Sequence, residues 1–306
     1  MTREIKISLL GFTQSGKTCM VASFAGQNGY AGANAHSIDF LGKCGSIIEK
    51  MRKGDMSDPF PANEVGKPDI LCFTDAYNAT QFTFEEYAGE MLTKSNGAID
   101  NLNIPQKDGV MLLLSAREPI CNSDQAVEER IREIKDAFND ILVELARSGG
   151  CKPIIFVVTA ADVLLDKTID HSIFFELKKH IEERIEHNGL KITDTQFVSI
   201  IDSHVGKKVS DQSDNYLGTI KDAYKVITEF VGELDRNKKE QQRKKLLLWG
   251  KILLAAIVLC LVIVGIWYFC LKEKKCPDCG NAVYPGAPKC KACFKEDMIK
   301  SGEIRK

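Results

Sequence analysis

The chain has 306 residues, 44% hydrophobic and 27% charged, which is room for one α/β domain of ordinary size plus extra segments. Its formal net charge of −1 hides an imbalance, because residues 236–306 hold 16 Lys and Arg against 6 Asp and Glu while residues 1–235 hold 25 against 36. An acidic head excludes nucleic acid as its expected ligand, and a basic tail points to an anionic surface. In the head, Cys19, Cys44, Cys72, Cys121 and Cys151 are scattered singly, as reduced thiols are. Met1-Thr2-Arg3-Glu4 runs into the first strand without a secretory pattern, so the head is expected in the cytosol.

Residues 4–10 read as a strand ending in an apolar pair, and residues 17–24 read as the first turns of a helix. Between them, Gly11-Phe12-Thr13-Gln14-Ser15-Gly16-Lys17-Thr18 fits G-x-x-x-x-G-K-[ST] and resembles the phosphate-binding loop of P-loop NTPases. Loop N–H groups, including those of Gln14 and Ser15, converge on phosphates at a helix N-terminus, and Gly11 and Gly16 place no Cβ in the way. The resemblance gives Lys17 to the β- and γ-phosphates and Thr18 to Mg²⁺. Lys17 is expected to face solvent when no ligand is bound.

A loop over 26–34 and a helix over 39–53 follow, the helix carrying Phe40, Leu41, Ile47, Ile48 and Met51 as its apolar stripe. Residues 54–68 hold three prolines and read as a loop, in the place where a small GTPase has its first switch. No Thr matches there; Thr74 is nearest and falls inside a strand. Residues 70–74 and 81–85 read as two strands, and the second leads into Glu86-Tyr87-Ala88-Gly89-Glu90. This segment resembles the D-x-x-G of Ras-like GTPases, and more closely the D-x-P-G-E of bacterial double-GTPase proteins. That resemblance implies a water-mediated hold of Glu86 on Mg²⁺, a γ-phosphate contact from the Gly89 N–H, and orientation of the attacking water by Glu90. Glu86 stands where the family has Asp, and a plain strand end with a glycine turn is the alternative.

Residues 110–114 are apolar on both faces and read as a central parallel strand, followed by a helix over 123–148. The next buried strand, 153–158, delivers Thr159-Ala160-Ala161-Asp162. This resembles the [NT]-K-x-D guanine motif with Ala160 in place of Lys; the Asp would accept from N1–H and the 2-amino group of guanine. The alternative is that Asp162 caps the next helix. That helix is read over 172–187, with His180 and His187 on the surface, and a strand over 197–201 places Ser199 where the guanine-loop motif lies. A last helix is expected over 217–234.

Residues 236–245 read as a charged linker within a basic segment reaching 251, and residues 252–271 contain no charge. Twenty helical residues span about 30 Å, the thickness of a bilayer core. Trp249, Trp267 and Tyr268 sit towards the ends of the run, as interfacial aromatics do. Beyond it, Cys276-x₂-Cys279 and Cys290-x₂-Cys293 resemble a zinc ribbon with four thiolate ligands. A single span would put this module across the membrane from the head, where thiols oxidise, so the span and the zinc are in tension.

The expected fold is α/β: a three-layer P-loop NTPase over 1–235 with a mostly parallel sheet and helices on both faces. A basic linker over 236–251, a transmembrane helix over 252–271 and a zinc-ribbon-like tail over 272–306 follow. The expected function is a membrane-anchored, slow GTPase switch with GTP as ligand and Mg²⁺ as cofactor, dependent on an unknown effector or activating partner. A non-hydrolysing nucleotide-binding scaffold and a P-loop ATPase are the alternatives.

Overall fold

The structure is a computed structural model. It describes residues 3–12, 14–26, 30–55, 57, 68–75, 80–87, 106–117, 124–147, 152–211, 213–271, 274–283 and 287–302. They form two compact units, Met1–Arg236 and Asn237–Lys306.

The strands of the first unit are β1 (Arg3–Gly11), β2 (Ala31–Gly32), β3 (Asp69–Asp75), β4 (Thr80–Glu86), β5 (Gly109–Ser115), β6 (Ile154–Thr159), β7 (Ile192–Val198), β8 (Lys208–Ser210) and β9 (Tyr216–Lys221). They make one sheet in the order β2-β3-β4-β1-β5-β6-β7-β9-β8. From β4 to β9 every pairing is parallel, and β2, β3 and β8 join antiparallel at the two edges.

Two apolar faces follow from the period-2 alternation of the central strands. Val110, Leu112 and Leu114 of β5 and Ile154, Phe156 and Val158 of β6 turn to one side, against α3 (Asp124–Arg147) and α4 (Ser172–His187). Met111, Leu113, Ile155 and Val157 turn to the other, against α1 (Lys17–Gly26), α2 (Ala35–Arg52) and the opening turns of α5 (Ala223–Leu271). The result is an α/β fold with helices on both faces. The chain order steps across β1 between β4 and β5, so a crevice opens beyond the carboxyl ends of the central strands.

Several element boundaries differ from the sequence expectation. Helix α2 begins four residues early because Asn34 caps it, its side chain accepting from the Ser37 N–H at 2.8 Å. Residues 217–221 are strand rather than helix; β9 lies beside β7, and α5 starts only after Asp222, which accepts from the Lys225 N–H at 2.8 Å. His180 is half-buried, and desolvation together with the charges of Lys135 and Arg184 lowers its pKa. The charged segment expected as a linker is helical, continuous within α5.

In the second unit, residues 246–266 of α5 are almost wholly exposed, with side chains such as Leu246, Leu253, Leu261 and Val264 open to the surroundings. Among the described residues this is the one helix long and apolar enough to cross a membrane, by length and composition. After it, β10 (Lys274–Lys275) pairs antiparallel with β11 (Ala282–Val283), and α6 (Lys291–Lys300) follows.

Candidate functional site

The loop after β1 approaches its neighbours too closely for side chains at two positions. A Cβ on Gly11 would lie 2.5 Å from the Leu113 carbonyl oxygen, and Gly16, at φ +81°, would bring one within 3.1 Å of Thr159 Oγ1. Gln14 also takes a left-handed conformation, φ 67°. Thr159 Oγ1 donates to the Ser15 carbonyl at 2.7 Å, tying the loop to the end of β6.

Lys17 does not face solvent. It is 5% exposed, and its ammonium donates to the carbonyls of Gly11 at 2.9 Å and Phe12 at 3.0 Å and to Ser15 Oγ at 3.3 Å. A buried ammonium needs acceptors, and the loop's own carbonyls supply them.

Glu85 and Glu86, adjacent at the end of β4, turn to opposite faces. Glu85 pairs with the buried Lys107 and accepts from the Tyr87 hydroxyl at 3.0 Å. Removing one partner of such a buried pair costs about 3–5 kcal/mol. Glu86, 2% exposed, accepts from Thr18 Oγ1 at 2.5 Å. Two hard oxygens, one anionic, thus meet at the N-terminus of α1, a donor set that suits a magnesium ion keeping most of its waters. Gly89 and Glu90 lie outside the described residues.

Beside the loop is a cavity of about 140 Å³. Its walls include Met20, Met51, Val198 and Ile200, with Asp162 and Arg117 among its polar lining. Asp162 sits in the first turn of a short 3-10 helix (Ala161–Leu165), after Ala160 in a left-handed conformation. Its carboxylate does not cap α4. It accepts from Ser199 Oγ at 2.8 Å and from Arg117 Nη2 at 3.4 Å. Ser199 Oγ in turn accepts from the Ile201 N–H at 3.1 Å. Cys19 lines the same cavity; burial, with the Glu86 charge nearby, pushes its thiol up to about 12, so it forms a neutral wall.

Gln14, Gly16, Thr159, Ala160 and Asp162, which stand in the sequence motifs, line this cavity together with Cys19, Met51 and Arg117, which no motif marks. Arg117 carries no motif. Its position follows from pairing alone: Ser115 registers with Thr159, and the Ala116 N–H donates to the Thr159 carbonyl at 2.9 Å.

A separate site lies in the second unit. The sulfur atoms of Cys276, Cys279, Cys290 and Cys293 all lie within 4.8 Å of one another, a group able to hold a metal ion. Four convergent sulfurs fit tetrahedral zinc. Backbone N–H groups, that of Cys290 first, hold the Cys276 thiol down to about 6, while bonding with Cys279 raises that of Cys293. The small cluster of Cys276, Val283 and Cys290 is all the buried core of this module among the described residues.

No protein-family model matches the chain, and no curated protein matches it. Among solved structures the chain is similar to bacterial selenocysteine-specific elongation factor EF-Sec, at 16% identity and a TM-score of 0.34, over 65% of this chain and 26% of that one. The chain therefore spans about a quarter of that factor's length.

Proposed function

We propose that residues 1–235 form a P-loop domain that binds GTP with Mg²⁺ and hydrolyses it slowly, anchored by a transmembrane helix over 252–271 behind a basic segment over 236–251. The observation that carries this reading is the Lys17 ammonium held on the carbonyls of its own glycine loop, beside the Thr18–Glu86 pair. A phosphate entering the loop offers Lys17 a charged acceptor in place of neutral ones, so the ammonium moves from Gly11 and Phe12 to the β- and γ-phosphates.

The N–H groups of residues 11–18 and the α1 dipole take the remaining phosphate charge. Thr18 and Glu86 would hold Mg²⁺, which neutralises charge developing on the phosphates when bound. The roles of Gly89, on the γ-phosphate, and Glu90, on the attacking water, rest on the family resemblance alone. Asp162, steadied by Ser199, accepts from guanine N1–H and the 2-amino group, a donor pair that adenine lacks. A partner supplying charge to the transition state would set the rate. The departures at Glu86 and Ala160 favour a second reading, a nucleotide-binding scaffold without hydrolysis.

Affinities of the full chain in detergent for GTP, GDP and ATP, followed by single-turnover hydrolysis, test both readings. Preferential GTP binding with slow turnover supports the first, GTP binding without turnover the second, and absence of nucleotide binding defeats both.

For the tail we propose a zinc-ribbon-like module over 272–306, across the membrane from the head. In intact cells an impermeant thiol reagent should label Cys276, Cys279, Cys290 and Cys293 after reduction. Stoichiometric zinc with complete protection of these thiols would instead place both ends of the apolar helix on the cytosolic side.

A further inference from the structure

The cavity beside the glycine loop has a carboxylate at one edge, apolar walls and one cation among the described residues that line it, Arg117. Residue 160, at the same rim, offers only a methyl group. Arg117 reaches this rim from the neighbouring strand end, because the Ala116 N–H is bonded to the Thr159 carbonyl. Its guanidinium makes a single 3.4 Å contact with Asp162 and its side chain is 47% exposed. The contact is long and the arm half-exposed, and Asp162 keeps its hydrogen bond from Ser199 when the arm departs, so the arm can leave at little cost. Arg117 and Asp162 line one cavity, so a planar heterocycle that put donors on Asp162 would share that cavity with the arm. Guanidinium groups stack on aromatic faces and lose little hydration in doing so.

We propose that Arg117 is a nucleotide-binding residue: when a purine base enters, its guanidinium leaves Asp162 Oδ2 and covers the face of the base, supplying from β5 the cation that position 160 lacks. This rests on the guanine-nucleotide reading of the cavity and adds a division of labour to it. Asp162 reads the edge of the base and Arg117 holds the ring, whatever its 2-substituent.

The test compares GDP with IDP, which lacks the 2-amino group, on full-length protein in detergent. Arg117→Ala should weaken both nucleotides by the same factor, about tenfold, with the Asp162-dependent preference for GDP over IDP intact. Adding Ala160→Lys to that variant should restore most of the loss, since the new cation rises from the same rim. Unchanged affinity for both nucleotides overturns the proposal. A loss confined to GDP also overturns it, because Arg117 would then act only by positioning Asp162. If wild-type protein that is folded by circular dichroism binds neither nucleotide, the cavity is not a nucleotide site, and both this proposal and the reading beneath it fall.

Discussion

The head and the cysteine module present ligand-ready groups on opposite terms. In the head, Lys17, Glu86, Asp162 and Ser199 are buried at the rim of a sheet whose two faces carry full apolar clusters. Its site is a by-product of a core that folds on its own account. In the module, the four sulfurs converge over a cluster of three buried residues, two of which are themselves cysteines. There the proposed ligand and the core are nearly the same thing. A site built on a core survives loss of its ligand, whereas one that is the core does not.

The largest expected effect breaks the module alone. Cys279→Ser, which breaks the four-sulfur cluster whether its thiols are paired or metal-bound, should abolish hydrogen-exchange protection over residues 274–283 and 287–300 while the amides of β5 and β6 exchange as before. Retained protection in the module would put its stability in the polypeptide and erase the contrast. The converse change is Phe156→Ala, at a fully buried position between α3 and α4. It should cost the head about 3–5 kcal/mol in denaturant unfolding and leave the hydrogen-exchange protection of the module unaltered.

Two smaller effects sharpen the contrast within the head. Lys17→Ala should weaken GTP binding by about 3 kcal/mol, roughly a hundredfold. Because Lys17 is buried on loop carbonyls, a stability loss of about 1 kcal/mol should accompany it in thermal unfolding without nucleotide. Smallest is Asp162→Asn, expected to shift preference from GTP towards xanthosine triphosphate by at least about tenfold, read by competition binding. Unaltered competition would leave Asp162 only its hydrogen bonds to Ser199 and Arg117.

Strand β1, the glycine loop, β5 and β6 were legible because continuous apolar runs and a spaced motif fix them locally. Where the periodicity ran on, it misled. Ile220, Ala223, Tyr224 and Ile227 continue a helical spacing backwards through residues that instead pair with β7. Asp222, bonded to the Lys225 N–H, was the available sign of the true start. Residues 236–245 show no apolar stripe, so periodicity reads them as linker, yet Lys, Arg, Glu and Gln are good helix formers and no proline interrupts them. The site divided in the same way. Lys17 and Asp162 announce themselves in motifs, whereas Arg117 is brought to the cavity by strand register, which one sequence does not display.

Thr159 belongs to both halves of the proposed nucleotide site, as the first residue of the guanine-motif segment and as the hydroxyl bonded to the Ser15 carbonyl. That hydroxyl sets the distance between the groups that would take the phosphates and those that would take the base. A two-headed ligand gains from such a rigid spacing as a bivalent ligand gains from a linker of matched length: once one head is seated, the other is present at high effective concentration. Replacing Thr159 by Val would leave free guanosine and inorganic pyrophosphate binding almost as before. The whole nucleotide, which alone draws on the spacing, would lose the advantage of being one molecule.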